Sequence, residues 1–152
     1  MTVWKSNPAR VDLLALYKET DELLAPFSCE ASTDCCHFGR TGREPYPTAV
    51  ELAEVEDAAK GLGLAAKPTR KLPMVDTERR CPLLGPNDRC RIYASRPFGC
   101  RTFFCERVSG PGKLPRAEIL ALGRRIADLS QRAFPRDPHP RPLGRALGRE
   151  RK

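Results

Sequence analysis

Cysteine is the residue that most restricts what this chain can fold into. There are 7 among 152 residues, Cys29, Cys35 and Cys36 in "FSCEASTDCCHFG", then Cys81, Cys90, Cys100 and Cys105. No single helix can present either block on one face. An odd count fits badly with a closed disulfide framework. Thiolates are soft anionic donors, and about four of them at roughly 2.3 Å complete the first shell of a zinc or iron centre. The chain therefore has enough for one full site, with ligands to spare. The intervening runs of five residues in the first block and of eight, nine and four in the second match neither the paired knuckles of a zinc ribbon nor the bacterial ferredoxin run. Spacing alone leaves a second reading open, in which the cysteines are small buried hydrophobes. Several of them sit beside Arg, Asp, Pro or Gly rather than inside an apolar period, which favours ligation.

The opening "MTVWKSNPARVDLL" holds no apolar run of signal-peptide length, and no window approaches the roughly 20 apolar residues of a spanning helix. The expectation is a cytoplasmic protein with no membrane partner, whose thiols stay reduced or bind something. A formal charge of +8 and a pI near 9.4 raise a nucleic acid or another acidic partner. Four thiolates on one divalent metal would subtract about two from that charge, so part of the basic excess would compensate buried sulfur.

Along the chain, "VDLLALYKETDELLAP" places Leu13, Leu16, Tyr17 and Leu24 near one face and predicts a helix over 8–24. Thr48 and Glu51 have capping-box spacing ahead of Leu52, Val55, Ala59 and Leu62, which predicts a second helix closed by Gly61 and Gly63. Pro115 suits the first turn of a third helix, with Ile119, Leu122, Ile126 and Leu129 on a common face up to about Ala133. From Ala66 to Ser109 periodicity is weak, and "KLPMV" and "CRIY" are the only candidate strands. An irregular segment of that length in a compact domain calls for something besides backbone ladders to hold it, and metal ligation is the obvious candidate. The fold class expected is α+β and mostly helical, a small cysteine-rich domain with about three main helices and a long irregular segment. Residues 1–134 form the single domain, and 135–152 a basic, flexible Pro/Arg-rich tail.

The combination "FSCEASTDCCHFG", "CPLL" and "CRIYASRPFGCRTFFC" resembles the YkgJ-type cysteine-cluster family, described as zinc- or iron-chelating domains. That family opens Cys-x-x-Cys-x-x-Cys-Cys, continues with Cys-Pro-(aromatic or Leu)-Leu and Cys-x-Ile-Tyr-x-x-Arg-Pro, and closes with Cys-Arg and often a last cysteine. The resemblance covers residues 27–105 and implies Cys29, Cys35, Cys36, Cys81, Cys90, Cys100 and Cys105 as metal ligands. One departure stands out, because Ser32 occupies the position of the family's second cysteine. A neutral hydroxyl is a far poorer ligand for zinc or iron than a thiolate, so any centre using that position is expected to be lost, weakened, or completed by a substitute such as His37, Asp34 or water. His37 is otherwise a hydrogen-bonding loop histidine, and His139 in the tail has no cysteine neighbours. Arg96 and Arg101 lie close in sequence to Cys90, Cys100 and Cys105, where guanidinium groups would offset thiolate charge.

Three functions follow as expectations. The first is a metal-binding protein holding zinc or iron through both cysteine blocks. The second is an iron–sulfur redox or sensing protein, since four cysteines suffice for a cluster. The third is a nucleic-acid-binding accessory protein that uses the basic tail and the polar side of the third helix. Conventional catalysis has no motif here, neither a nucleophile elbow, a phosphate loop nor a His-Glu-x-x-His helix, so any enzyme activity would be metal-dependent.

Overall fold

The computed structural model describes residues 3–27, 34–63, 79–103 and 112–147. Cys29, Ser32, Cys105 and the "KLPMV" segment lie outside the described residues. The long helices are α1 (Pro8–Leu24), α3 (Ala49–Gly61) and α5 (Arg116–Ala133), joined by three short ones, α2 (Phe38–Thr41), α4 (Phe98–Arg101) and α6 (Leu143–Leu147). Asn7 caps α1 by accepting from the Ala9 N–H, with Pro8 at its first position. At the head of α3 the Glu51 carboxylate reaches back to the Thr48 N–H at 2.8 Å and its hydroxyl at 2.9 Å. Pro115 immediately precedes α5, and Leu122, Ile126 and Leu129 are its buried apolar stripe.

Among the described residues the fold contains helices and isolated bridges but no strand, so the expected α+β class is corrected to all-helical. The reason is local. In "CRIY" only Cys90 pairs, through a single bridge to Leu84, and by Tyr93 the backbone has entered a 3₁₀ turn over Tyr93–Ser95. That run is a bend carrying a cysteine, too short to make a ladder.

Two apolar cores share one helix. Trp4, Leu13, Leu16 and Tyr17 meet Val50 of α3 and the stripe of α5 in the first. Leu52, Val55 and Ala59, further round α3, meet Phe38, Cys81, Leu83, Ile92 and Leu143 in the second. α3 is thus the wall between a three-helix layer and the cysteine-bearing segments. After α5 the chain returns along residues 45–49, with Arg141 N–H donating to the Pro47 carbonyl at 3.1 Å and Leu143 N–H to that of Pro45 at 3.0 Å. This delivers Leu143, 1% exposed, into the second core. Among the described residues no helix is long and apolar enough to cross a membrane.

Candidate metal centre

Two backbone devices bring the cysteine blocks together. His37 and Arg80 form an antiparallel bridge, in which Phe38 N–H donates to the Arg79 carbonyl at 3.1 Å and Cys81 N–H to the Cys36 carbonyl at 2.7 Å. Cys36 and Cys81 therefore stand opposite one another. The second device is the turn "LGPNDRC". Gly85 N–H donates to the Arg89 carbonyl at 2.8 Å and Arg91 N–H to that of Leu83 at 3.0 Å, which folds Cys90 back beside Leu84. A Cβ on Gly85 would stand 3.2 Å from that Arg89 carbonyl and 3.0 Å from the Asn87 side chain, so any larger residue would make this turn give by a few tenths of an ångström. Asp88, with φ of 55°, takes the left-handed conformation that reverses the chain, which aspartate tolerates better than most residues. Cys100 arrives from α4.

The five described cysteines, Cys35, Cys36, Cys81, Cys90 and Cys100, are all free thiols. Cys36 is in hydrogen-bonding contact with both Cys35 and Cys81. The Cys35 thiol is pushed well above its ordinary range by its contact with Cys36, by burial and by the charge Cys36 would carry. At Cys36 the contact with Cys35 pulls downward, but contact with Cys81, burial and the neighbouring sulfurs outweigh it, and the thiol is pushed up to about 12. Burial raises Cys90 and Cys100, and Cys100 is held up further by Cys35, Cys36 and Cys90. The sulfurs are therefore near enough to resist ionising together. A cation is what such a group lacks.

One cation is already supplied by the chain. The Arg96 charge favours the thiolate at Cys35, Cys90 and Cys100, and its guanidinium stacks on the Tyr93 ring at 4.0 Å. Its Nε is buried without a hydrogen-bond partner, as is Nδ1 of His37, a side chain 6% exposed. Arg101 departs from expectation. It is buried, donates to the carbonyls of Arg96 at 2.9 Å and Ala94 at 2.7 Å, and pairs with Asp21 of α1 at 2.7 Å while lying over the Tyr17 ring. Arg101 clamps the second cysteine block to α1 instead of facing sulfur.

Two buried glutamates on α3, which the sequence did not single out as an inward pair, complete this mounting. Glu51 accepts from the Phe98 N–H at 2.7 Å, at the start of α4, and from the Tyr17 hydroxyl at 3.3 Å. Glu54 accepts from the Ser95 hydroxyl at 3.0 Å, the Trp4 indole at 2.8 Å and Arg10 at 2.8 Å. Burying two carboxylates is costly unless each is fully hydrogen-bonded, and here both are. The segment that carries Cys90 and Cys100 is therefore fixed by carboxylates at Asp21, Glu51 and Glu54.

Among the described residues no group of three or more His, Cys, Asp or Glu side chains has the mutual geometry of a formed metal site. The fit to a metal lies in the donor chemistry: five thiols that influence one another, a buried imidazole nitrogen without a partner, and an arginine whose charge favours the thiolates. Arg125 of α5, on the face considered for phosphate binding, is engaged by Glu19 through contacts of 2.5 and 3.0 Å.

A family model, CxxCxxCC, described as "Putative zinc- or iron-chelating domain", matches residues 28–117. No curated protein and no solved structure matches the chain.

Proposed function

Since the chain belongs to the CxxCxxCC family of zinc- or iron-chelating domains, we propose that it binds a zinc or iron ion through thiolates drawn from both of its cysteine blocks. The single observation that carries this reading is the convergence of Cys35, Cys36, Cys81, Cys90 and Cys100 from three separate chain segments into mutual influence. Cys29 and Cys105, outside the described residues, belong to the proposed ligand set by their place in the family motif. His37 is the reserve ligand, supported by its buried, unpartnered Nδ1.

A bound divalent cation would supply the positive charge that lets several buried sulfurs ionise together. The chain's own residues do the rest. The His37–Arg80 bridge and the Gly85 turn hold the donors in register, the carboxylates of Asp21, Glu51 and Glu54 fix the second block, and Arg96 offsets residual negative charge. An iron–sulfur cluster is the finer alternative, since the thiols present exceed the four one cluster needs.

Metal content of protein purified without added ions, once in air and once without oxygen, tests the proposal. Zinc or mononuclear iron at about one ion per chain is the expected result. Brown protein with equimolar iron and sulfide would replace it with the cluster reading, and protein that is folded, reduced and metal-free after exposure to both ions would overturn both. Ser32→Cys restores the family's missing thiol. It is expected to tighten binding of the same ion if that position belongs to the shell, read as slower loss to a chelator.

A further inference from the structure

We propose that Cys36 and Cys81 are a redox-modifiable dithiol, closed to a Cys36–Cys81 disulfide by low-molecular-weight disulfides. The register carries the inference. One step outward from the His37–Arg80 bridge, Cys36 and Cys81 face each other across an antiparallel pair, joined by the 2.7 Å bond from Cys81 N–H to the Cys36 carbonyl. Directly opposite hydrogen-bonded positions have Cα atoms about 5.5 Å apart and project their side chains to the same face. Disulfides span Cα separations of roughly 4.4 to 6.8 Å, so the register places the pair within bridging range.

The adjacent pair is disfavoured by the same measure. Cys35 and Cys36 are adjacent, and consecutive Cα atoms across a trans peptide are about 3.8 Å apart, below the disulfide range. The peptide bonds of the described residues are all trans.

Burial assigns the order of events. Cys36 is half-buried, whereas Cys81 is 8% exposed and packs in the apolar core with Leu83 and Ile92. The small fraction of Cys36 that is thiolate attacks one sulfur of a small disulfide, breaking its S–S bond and releasing one thiolate, which takes up a proton. Cys81 then loses its proton and attacks the Cys36 sulfur of the mixed disulfide, expelling the second small thiol. Two protein thiols are oxidised by two electrons, and one small disulfide is reduced to two thiols. A further consequence rests on the metal-binding reading above: the disulfide removes two of the proposed donors, so oxidation and metal occupancy oppose each other.

The test uses the full, metal-free chain incubated with oxidised glutathione, followed by alkylation of the remaining thiols, digestion and mass mapping. The expected product is a cross-linked peptide pair joining Cys36 to Cys81, lighter by two hydrogens than the reduced pair. It should be absent from Cys36→Ser and from Cys81→Ser. Cys36 joined to any other cysteine, or both residues recovered fully alkylated, would overturn the proposal. Zinc titration of the reduced and oxidised wild-type chains separates the two readings. The oxidised form is expected to bind at least about tenfold more weakly, having lost two of its proposed donors and their register across the bridge. Equal affinity would refute that opposition. A Cys36–Cys81 disulfide in a chain that takes up neither zinc nor iron when reduced would sink the metal reading and leave the modification standing.

Discussion

Arg96 and Arg101 look interchangeable in the sequence, each within reach of several cysteines, yet their surroundings give them opposite tasks. Arg96 turns its charge toward Cys35, Cys90 and Cys100, whereas Arg101 is spent on Asp21 and two carbonyls. Arg96→Met is therefore expected to weaken zinc binding about tenfold, the scale of outer-shell changes at metal sites, with little change in metal-free stability. Arg101→Met should cost about 2–3 kcal/mol of stability by thermal melting, because a buried clamp is lost. The thiols add a pH dependence whose sign is fixed. Cys35, Cys36, Cys90 and Cys100 are all raised in the fold, so the folded chain holds protons that the unfolded chain sheds near pH 8.5. Their contribution to stability is complete below that pH and declines as pH rises toward the folded values. Metal-free protein should thus melt progressively lower between about pH 8 and pH 9.5, below ordinary tyrosine ionisation. Metal-loaded protein, its ligands already deprotonated, should show a much flatter profile over the same window.

Among the elements, α3 carries the most. Its apolar positions serve two cores, and its two inward carboxylates hold α1 and the second cysteine block at once. Glu54→Ala leaves the Trp4 indole and the Ser95 hydroxyl without their acceptor and Arg10 without its partner, and is expected to cost about 3 kcal/mol in denaturant unfolding. The main helices were legible because their ends are written in short-range chemistry: Pro8 and Pro115 at starts, Thr48 with Glu51 as a cap, Gly61 at a stop. Glu54 was not legible. α3 is buried nearly all round in its first turns, so no polar stripe marks which acids face inward, and donors as remote as Trp4 and Ser95 give no local signal. "CRIY" reads as a strand by composition, but its backbone is turned by the Gly85 loop before it and the 3₁₀ turn after it. Of the candidate site, the cysteines were evident from their motif. Their pairing across the His37–Arg80 bridge is a long-range contact that spacing does not encode.

At the scale of the whole molecule, the second core is assembled from α2, α3, the Cys81–Ile92 loop and α6, so its completeness depends on a residue near the far end of the chain. Leu143→Ala is expected to cost about 3 kcal/mol and to raise the reactivity of Cys81 toward an alkylating reagent, which labelling followed by mass analysis would read. Glu44 reinforces the same closure, accepting from the Gly144 N–H at 2.7 Å while pairing with Arg79 at 2.6 Å, two residues before Cys81. One piece of the apolar wall behind the thiols thus comes from outside the residues that carry the family motif, since Leu143 falls beyond 28–117. A peptide trimmed to 28–117 would carry all seven cysteines but lack Leu143, which closes the core around Cys81, and Asp21 of α1, which anchors Arg101. For anyone excising or transplanting this cysteine cluster, the portable unit is the whole chain from Trp4 to α6.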